Sequence, residues 1–274
     1  KKTDISALGQ QVIIPRTPTV VVIDGPKGLD LDAAGLYTTP VTNAATLTID
    51  QRELAGFTID DADAYQAISD NLDRMSDDAV KQIAIRQDTK ILSGLGAKVA
   101  STNQGATAGI NADTNLGATG APVAISTTNA LSFLLQMKRV LEEQSVDVDG
   151  GGLKIVIGPK YQELLMQTSL NAANITGDGE GSIRTGYVGP YANMSIFKSI
   201  LLPKFTDAAA GNAKTEEVYV VHSDGLTWAM QYQLPEFFRE SKYTGTRMRT
   251  QCLWGWNVVE PTYIAAGYVT YVGA

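Results

Sequence analysis

The chain has 274 residues, 44% of them hydrophobic and 19% charged, which is enough apolar material for a sizeable core and sets it apart from disordered proteins. Its net charge of −7 lacks the clustered basic face of a phosphate-contacting nucleic-acid reader. No apolar run approaches the ~20 residues of a membrane-spanning helix, so no membrane is expected among its partners. Lys1-Lys2-Thr3-Asp4 opens without an apolar stretch behind it, and the single cysteine, Cys252, has no internal partner. Both features predict a protein without a secretory leader, made in a reducing cytoplasm.

Residues 1–56 lack helical periodicity. Gln11–Pro15, Thr19–Ile23 and Ala45–Asp50 are β-rich, separated by the turn cluster Asp24-Gly25-Pro26-Lys27-Gly28 and a loop holding Gly35 and Pro40. A two-stranded ribbon buries little by itself, so this one is expected to lean on another surface, and a second subunit is a candidate. Residues 61–93 carry the strongest pattern. Ala64, Ile68, Leu72, Met75, Ala79 and Ile83 recur every three or four positions, which predicts one helix of roughly 50 Å at about 1.5 Å per residue. Asp60 is the expected N-cap, and Gly94 and Gly96 are the expected stop. So long a rod is unusual where helices average about 11–12 residues.

Gly94–Ser126 is rich in Gly, Ala, Thr and Asn and is too long for a bare loop, so it should hide a short element or a surface excursion. Thr127 or Thr128 should cap a second helix bearing Leu131, Leu134, Leu135 and Leu141. After Asp149-Gly150-Gly151-Gly152 comes a buried strand, Leu153–Ile157, and Pro159 suits the first turn of a short helix through Leu165. Gly177–Gly181 reads as a mobile acidic loop. Strands are expected at Met194–Ile200, Glu217–Val221, Leu226–Met230 and through the aromatic stretch from Arg247 to Tyr271.

Sites of chemistry are scarce. His222 stands in Val221-His222-Ser223-Asp224, but a catalytic triad needs side chains converging from separate segments rather than neighbours alternating along one strand. One His and one Cys do not make the usual zinc sets, and Asp60-Asp61-Ala62-Asp63 lacks the glycine and final Glu of a calcium loop. Gly25-Pro26-Lys27-Gly28, Gly150–Gly152 and Gly177–Gly181 fit neither a P-loop nor a dinucleotide fingerprint. No catalytic residue, metal or cofactor is assigned, and no enzyme activity is expected. A pair of glycosidase carboxylates stays open, because their separation is not visible in a sequence.

Charge is segregated instead. Between Asp50 and Asp78 lie nine acids against two bases, which accounts for the whole net charge, while the remaining 20 acids and 20 bases cancel. Asp60, Asp61, Asp63, Asp70 and Asp73 are expected to face Arg239, Lys242, Arg247 and Arg249 of a neighbouring copy. The competing reading is a solvated helix face, since exposed ion pairs are weak.

The order of elements (arm, ribbon, long helix, second helix, strand, proline, short helix) resembles the major capsid proteins of tailed bacteriophages, a fold shared with encapsulins. Phe57-Thr58-Ile59-Asp60-Asp61, Asp88-Thr89-Lys90-Ile91-Leu92, Leu153–Leu165, Gly186-Tyr187-Val188-Gly189, Ile196-Phe197-Lys198-Ser199 and Leu201-Leu202-Pro203 carry the likeness. The family's proline and arginine before the axial strand are replaced here by Val148-Asp149-Gly150-Gly151-Gly152-Leu153, and no lysine matches the cross-linking lysine of some relatives. The resemblance implies an α+β tailed-phage major capsid fold. Its parts would be an N-terminal arm over 1–14, an extended β-ribbon loop over 15–56, a peripheral domain with the spine helix over 57–150, an axial domain over 151–235, and strands returning to the peripheral domain over 236–274. It further implies self-assembly into hexamers and pentamers of an icosahedral shell around double-stranded DNA that is enclosed without specific recognition. Scaffolding, portal and decoration proteins are the implied partners, and the virion capsid, built in the bacterial host cytoplasm, is the implied location. An encapsulin-like compartment and a carbohydrate-active enzyme are the alternatives.

Overall fold

The computed structural model describes residues 2–4, 11–16, 22, 24–28, 30, 44–61, 71–148, 150–168, 191–239 and 244–271. The expected strand Thr19–Ile23 (Val22 apart), the loop at Gly35 and Pro40, Ala64, Ile68, the Gly177–Gly181 loop and Gly186–Gly189 lie outside these residues, as do Asp63, Asp70 and Lys242.

Near the N-terminus the short strand β1 (Lys2–Asp4) runs parallel to a strand from far along the chain. The ribbon follows. Strands β2 (Gln11–Pro15) and β3 (Ala44–Thr48) pair antiparallel, from Gln11 opposite Thr48 to Pro15 opposite Ala44. The chain then turns into β4 (Gln51–Asp60), whose alternation sends Glu53, Ala55, Phe57 and Ile59 to one face and Arg52, Leu54, Gly56, Thr58 and Asp60 to the other.

The spine is described as α1 (Asn71–Leu95), about 37 Å at 1.5 Å per residue. It ends at Leu95, directly before Gly96, the second of the two expected stops, and passes into a 3-10 turn at Gly96–Lys98. Gly94 therefore does not break the helix. A Cβ there would meet the Trp256 ring at 2.8 Å, so Gly94 lets the helix pass close beneath that ring.

Gly94–Ser126 is packed rather than free. It holds a second 3-10 turn (Ser101–Asn103), two isolated bridges and strand β5 (Val123–Ile125). Asn103 is fully buried and anchors the stretch by donating its amide to Thr262 O at 2.7 Å and Ile264 O at 3.1 Å. Helix α2 (Ala130–Glu143) starts after Asn129 rather than after Thr127 or Thr128. Asn129 makes no capping bond into the helix. Its side chain instead accepts from Ser126 N at 2.7 Å and donates to Ala124 O at 2.8 Å, closing the turn that feeds the helix. Leu131, Leu134 and Leu141 are buried as expected, whereas Leu135 is 40% exposed.

Strand β6 (Leu153–Ile157) and helix α3 (Pro159–Gln167), with proline in its first turn, match the expected pair. Beyond them come β7 (Ser195–Lys198), β8 (Lys204–Asp207), β9 (Ala213–His222), β10 (Leu226–Arg239), β11 (Gly245–Val258) and β12 (Ile264–Tyr271).

Besides the two-stranded ribbon, the described residues form two larger sheets. One has four strands in the order β1-β10-β11-β4. The other runs β5-β12-β9-β6-β7, with β8 also paired to β9. The long β10–β11 hairpin shifts register between Gln233 and Glu236, at Pro235, which has no N–H to give to a ladder. Helix α2 packs on the six-stranded sheet, because Phe133, Leu134, Met137 and Val140 require the apolar row of Ile155, Val218, Val220, Ala265 and Val269. Strand β12 lies inside that same sheet, between β5 and β9, although it follows the β10–β11 hairpin, and position 235 falls inside β10.

Between β8 and β9 sits a polar knot. Asp207 is buried and accepts backbone N–H groups from Gly120 at 2.6 Å, Ala209 at 3.0 Å and Ala210 at 3.2 Å. The Gly120 amide does most to hold its carboxyl below the usual range. The Ala210 and Ala209 amides and the Tyr268 hydroxyl assist, against the opposing pull of burial. A depressed folded-state pKa adds stability above the ordinary aspartate range, and that stability is lost as pH falls through the folded value. Asp207→Asn should therefore lower the denaturation midpoint at neutral pH, and its deficit against wild type should shrink in acid. Urea melts of both proteins across that range check the sign.

Candidate assembly surfaces

Most of the ribbon's described base rests on its own chain. Leu47 and Ile49 pack with Ala229, Val12 and Ile14. Thr46 O accepts from Asn257 Nδ2 at 2.9 Å, and Arg16 reaches Val259 O. The ribbon leans on another surface, as expected, and for its base that surface is β10 and β11 of its own chain. Farther out, Ile13 is 70% and Val22 89% exposed.

The spine is held to the sheet by its C-terminal half. Ile83 packs with Cys252 and Trp254, and Gln87, buried among them, donates to Cys252 Sγ at 3.1 Å. Burial is the main reason the Cys252 thiol is pushed up; the nearby Glu53 charge adds to it and the Gln87 hydrogen bond opposes it. Glu53 is 5% exposed and sits in an ionic clasp, with Arg86 Nε at 2.8 Å and Lys90 Nζ at 2.5 Å. Lys90 also donates to Gln51 at 3.2 Å and lies 5.9 Å from the Trp254 ring centre. Glu53 stands in the acidic segment but serves inside the protein, as its place in the inward row of β4 signals. Its two cations keep the helix and the ribbon's return strand in register.

The N-terminal half of α1 stands away from the sheet. Met75 is 41% and Val80 42% exposed. Between this half and β4 runs a groove made of two adjoining clefts of about 750 and 560 Å³, lined by the side chains of Ala55, Phe57, Met75, Ala79 and Ile83 among others. Strand β4 borders it and is the last strand of its sheet among the described residues. Asp73, Asp77 and Asp78 are exposed along the helix.

The bases named from the sequence lie on β10 and β11. Arg239 reaches Asp61 within the same chain. Arg249 pairs with Glu236 at 2.7 Å and lies 5.3 Å from the Phe238 ring centre. By register Arg247 stands between Thr58 and Phe238, and Arg249 between Gly56 and Glu236. Both occupy the sheet face turned away from α1, together with Leu54 at 65%, Leu253 at 37% and Phe238 at 37% exposure. Asp60 lies at the junction of β4 with the helical turn at Asp61. Asp61 and Arg239, expected to meet across copies, are thus paired within one chain, at its surface. Asp73 and the pair Arg247 and Arg249 face opposite sides of this layer.

His222 accepts the Asp224 backbone N–H on Nδ1 at 3.3 Å and meets Tyr263 edge-on at 5.3 Å. That nitrogen is an acceptor here, whereas a triad histidine donates from it to its aspartate.

Residues 55–267 match the phage capsid protein family. No curated protein matches the chain. Among solved structures the chain is similar to the capsid of cyanophage P-SCSP1u, at 17% identity and a TM-score of 0.69, over 100% of this chain and 86% of that one. It is also similar to a structure from Mycobacterium phage Che8, at 20% identity and 0.67, over 97% and 85%. The virus-like particle from Pyrococcus furiosus follows at 10% and 0.54, over 97% and 88%. These likenesses establish the fold. With the long helix clasped to a four-stranded sheet and the ribbon seated beside it, the chain belongs to the phage capsid protein family, a structural protein of the virion with the α+β capsid fold of tailed bacteriophages.

Proposed function

We propose that the chain is the major capsid subunit of a tailed bacteriophage, made in the host cytoplasm, whose hexamers and pentamers close an icosahedral shell around double-stranded DNA. The observation that carries this is the peripheral layer itself. Its sheet face bears Arg52, Arg247 and Arg249 around the exposed Leu54, Leu253 and Phe238, and its helix face bears Asp73, Asp77 and Asp78 beside the exposed Met75 and Val80. Complementary faces pointing in opposite directions cannot satisfy each other within one copy. They suit a head-to-tail contact, the kind that generates rings. Apolar burial would supply most of the drive and the charges the register. On this reading residues 57–150, 151–235 and 236–274 remain useful names for peripheral, axial and returning segments, with scaffolding, portal and decoration proteins as further partners. The family match over 55–267 favours a phage shell over an encapsulin-like compartment.

Charge reversal tests the contact. Light scattering of the purified chain should show particles far larger than a monomer, with a yield that falls as salt rises. Arg247→Glu with Arg249→Glu should cut that yield about tenfold, the equivalent of roughly 1.4 kcal/mol, and Asp73→Lys with Asp77→Lys should recover part of it. Unchanged assembly by the arginine variant would rule out this pairing.

A further inference from the structure

On the helical side of the six-stranded sheet lies a second cleft, of about 350 Å³, bordered by Lys160, Lys204, Lys214, Glu216 and Tyr271. Register puts its charges on one face. Lys204 is opposite Glu216 and Thr206 is opposite Lys214 in the β8–β9 pair, and directly opposite residues point the same way. Glu216 continues the buried row of Val218 and Val220 and is itself only 3% exposed. One of its carboxylate oxygens, Oε2, accepts the Tyr271 hydroxyl. The other, Oε1, is buried with no hydrogen-bond donor among the described residues, and Lys204 Nζ stands 3.7 Å from it. Lys214 donates to Thr206 Oγ1 at 3.0 Å, and Lys160 lies 5.4 Å from the Tyr271 ring centre. Glu216 thus answers one of the three ammonium groups that border the apolar cleft and leaves a surplus of positive charge at its mouth.

We propose that this cleft docks an acidic peptide segment of a partner protein. Its carboxylates would lie against Lys160 and Lys214, and one large apolar side chain would enter beside Phe205 and Tyr271. Charge complementarity argues for an acidic occupant, and the apolar cavity for a side-chain anchor. A phosphate chain satisfies the lysines but brings no such anchor. The inference does not depend on assembly, since every group belongs to one chain.

The probe is a fluorescein-labelled synthetic hexapeptide with a central Leu-Phe pair flanked by glutamates and aspartates, titrated by anisotropy into the full chain. Binding should weaken about tenfold when the Leu-Phe pair becomes Ala-Ala, and about tenfold for Lys214→Gln, while Lys154→Gln elsewhere on the sheet leaves it unchanged. Lys204→Met takes a cation from beside Glu216 and can disturb folding, so Lys214→Gln, which spares that pair, is the deciding variant. Absence of binding, equal weakening by Lys154→Gln, or a short single-stranded oligonucleotide binding with the same lysine dependence would each overturn the proposal.

Discussion

Gly255→Ala should destabilise the protein by about 2–4 kcal/mol, the range expected when overpacking meets backbone that cannot give way. A Cβ at Gly255 would lie 2.0 Å from Thr48 O and 2.9 Å from Thr48 C, so β3 or β11 would have to move. The position is where β3 crosses β11 just past the end of β4, whose last paired residue is Gln51, opposite Trp254. Leu47, Ile49 and Ala229 form the small cluster beneath this crossing. The damage should therefore concentrate in the ribbon. Hydrogen exchange should show Leu47 and Thr48 losing protection before α2 or β6, and a urea midpoint unchanged from wild type would show that the crossing is looser than described.

The second large effect separates folding from assembly. Leu54→Asp combined with Met75→Asp changes two side chains that are 65% and 41% exposed in the single chain. Surface changes of this kind leave stability within roughly 0.5 kcal/mol each, so the thermal midpoint should barely move. In an assembled shell the same positions would be buried, and a buried, unpaired carboxylate is strongly unfavourable. The concentration needed for particle formation should rise by about two orders of magnitude, or about 2.7 kcal/mol per subunit. Particle formation at the wild-type concentration would remove this groove and sheet face from the interface.

How much of this was legible in the sequence depended on whether a signal was local. The strand Leu153–Ile157 and the proline-led helix after it are local, and each sits where its pattern placed it. The α1 periodicity is local too and marks a helix over Asn71–Leu95, with Ile83 buried and Met75 exposed. Gly94 and Gly255 were opaque for the opposite reason. What they avoid, the Trp256 ring and Thr48 O, comes from other parts of the chain, so a glycine beneath a distant ring read as a helix stop. Glu53 was readable in principle: it shares the inward row of β4 with Ala55 and Phe57, but the density of acids around it hid the alternation. The lysine cleft had no sequence signal at all. Lys160 opens a helix while Lys204 and Lys214 lie on two paired strands, and only β9, passing beside both β8 and β6, brings them together. The inner place of β12 is likewise a matter of topology, set by β9 and β5 on either side of it.

The central claim is that this chain builds a closed shell. Electron cryo-microscopy of the purified full chain tests it most directly. If the proposed function holds, the images will show closed particles whose repeating units are rings of five and six copies, with α1 and the β10–β11 hairpin in the contacts between neighbours. A protein that stays a monodisperse monomer at every salt and protein concentration, or one that hydrolyses glycans in that state, would contradict it.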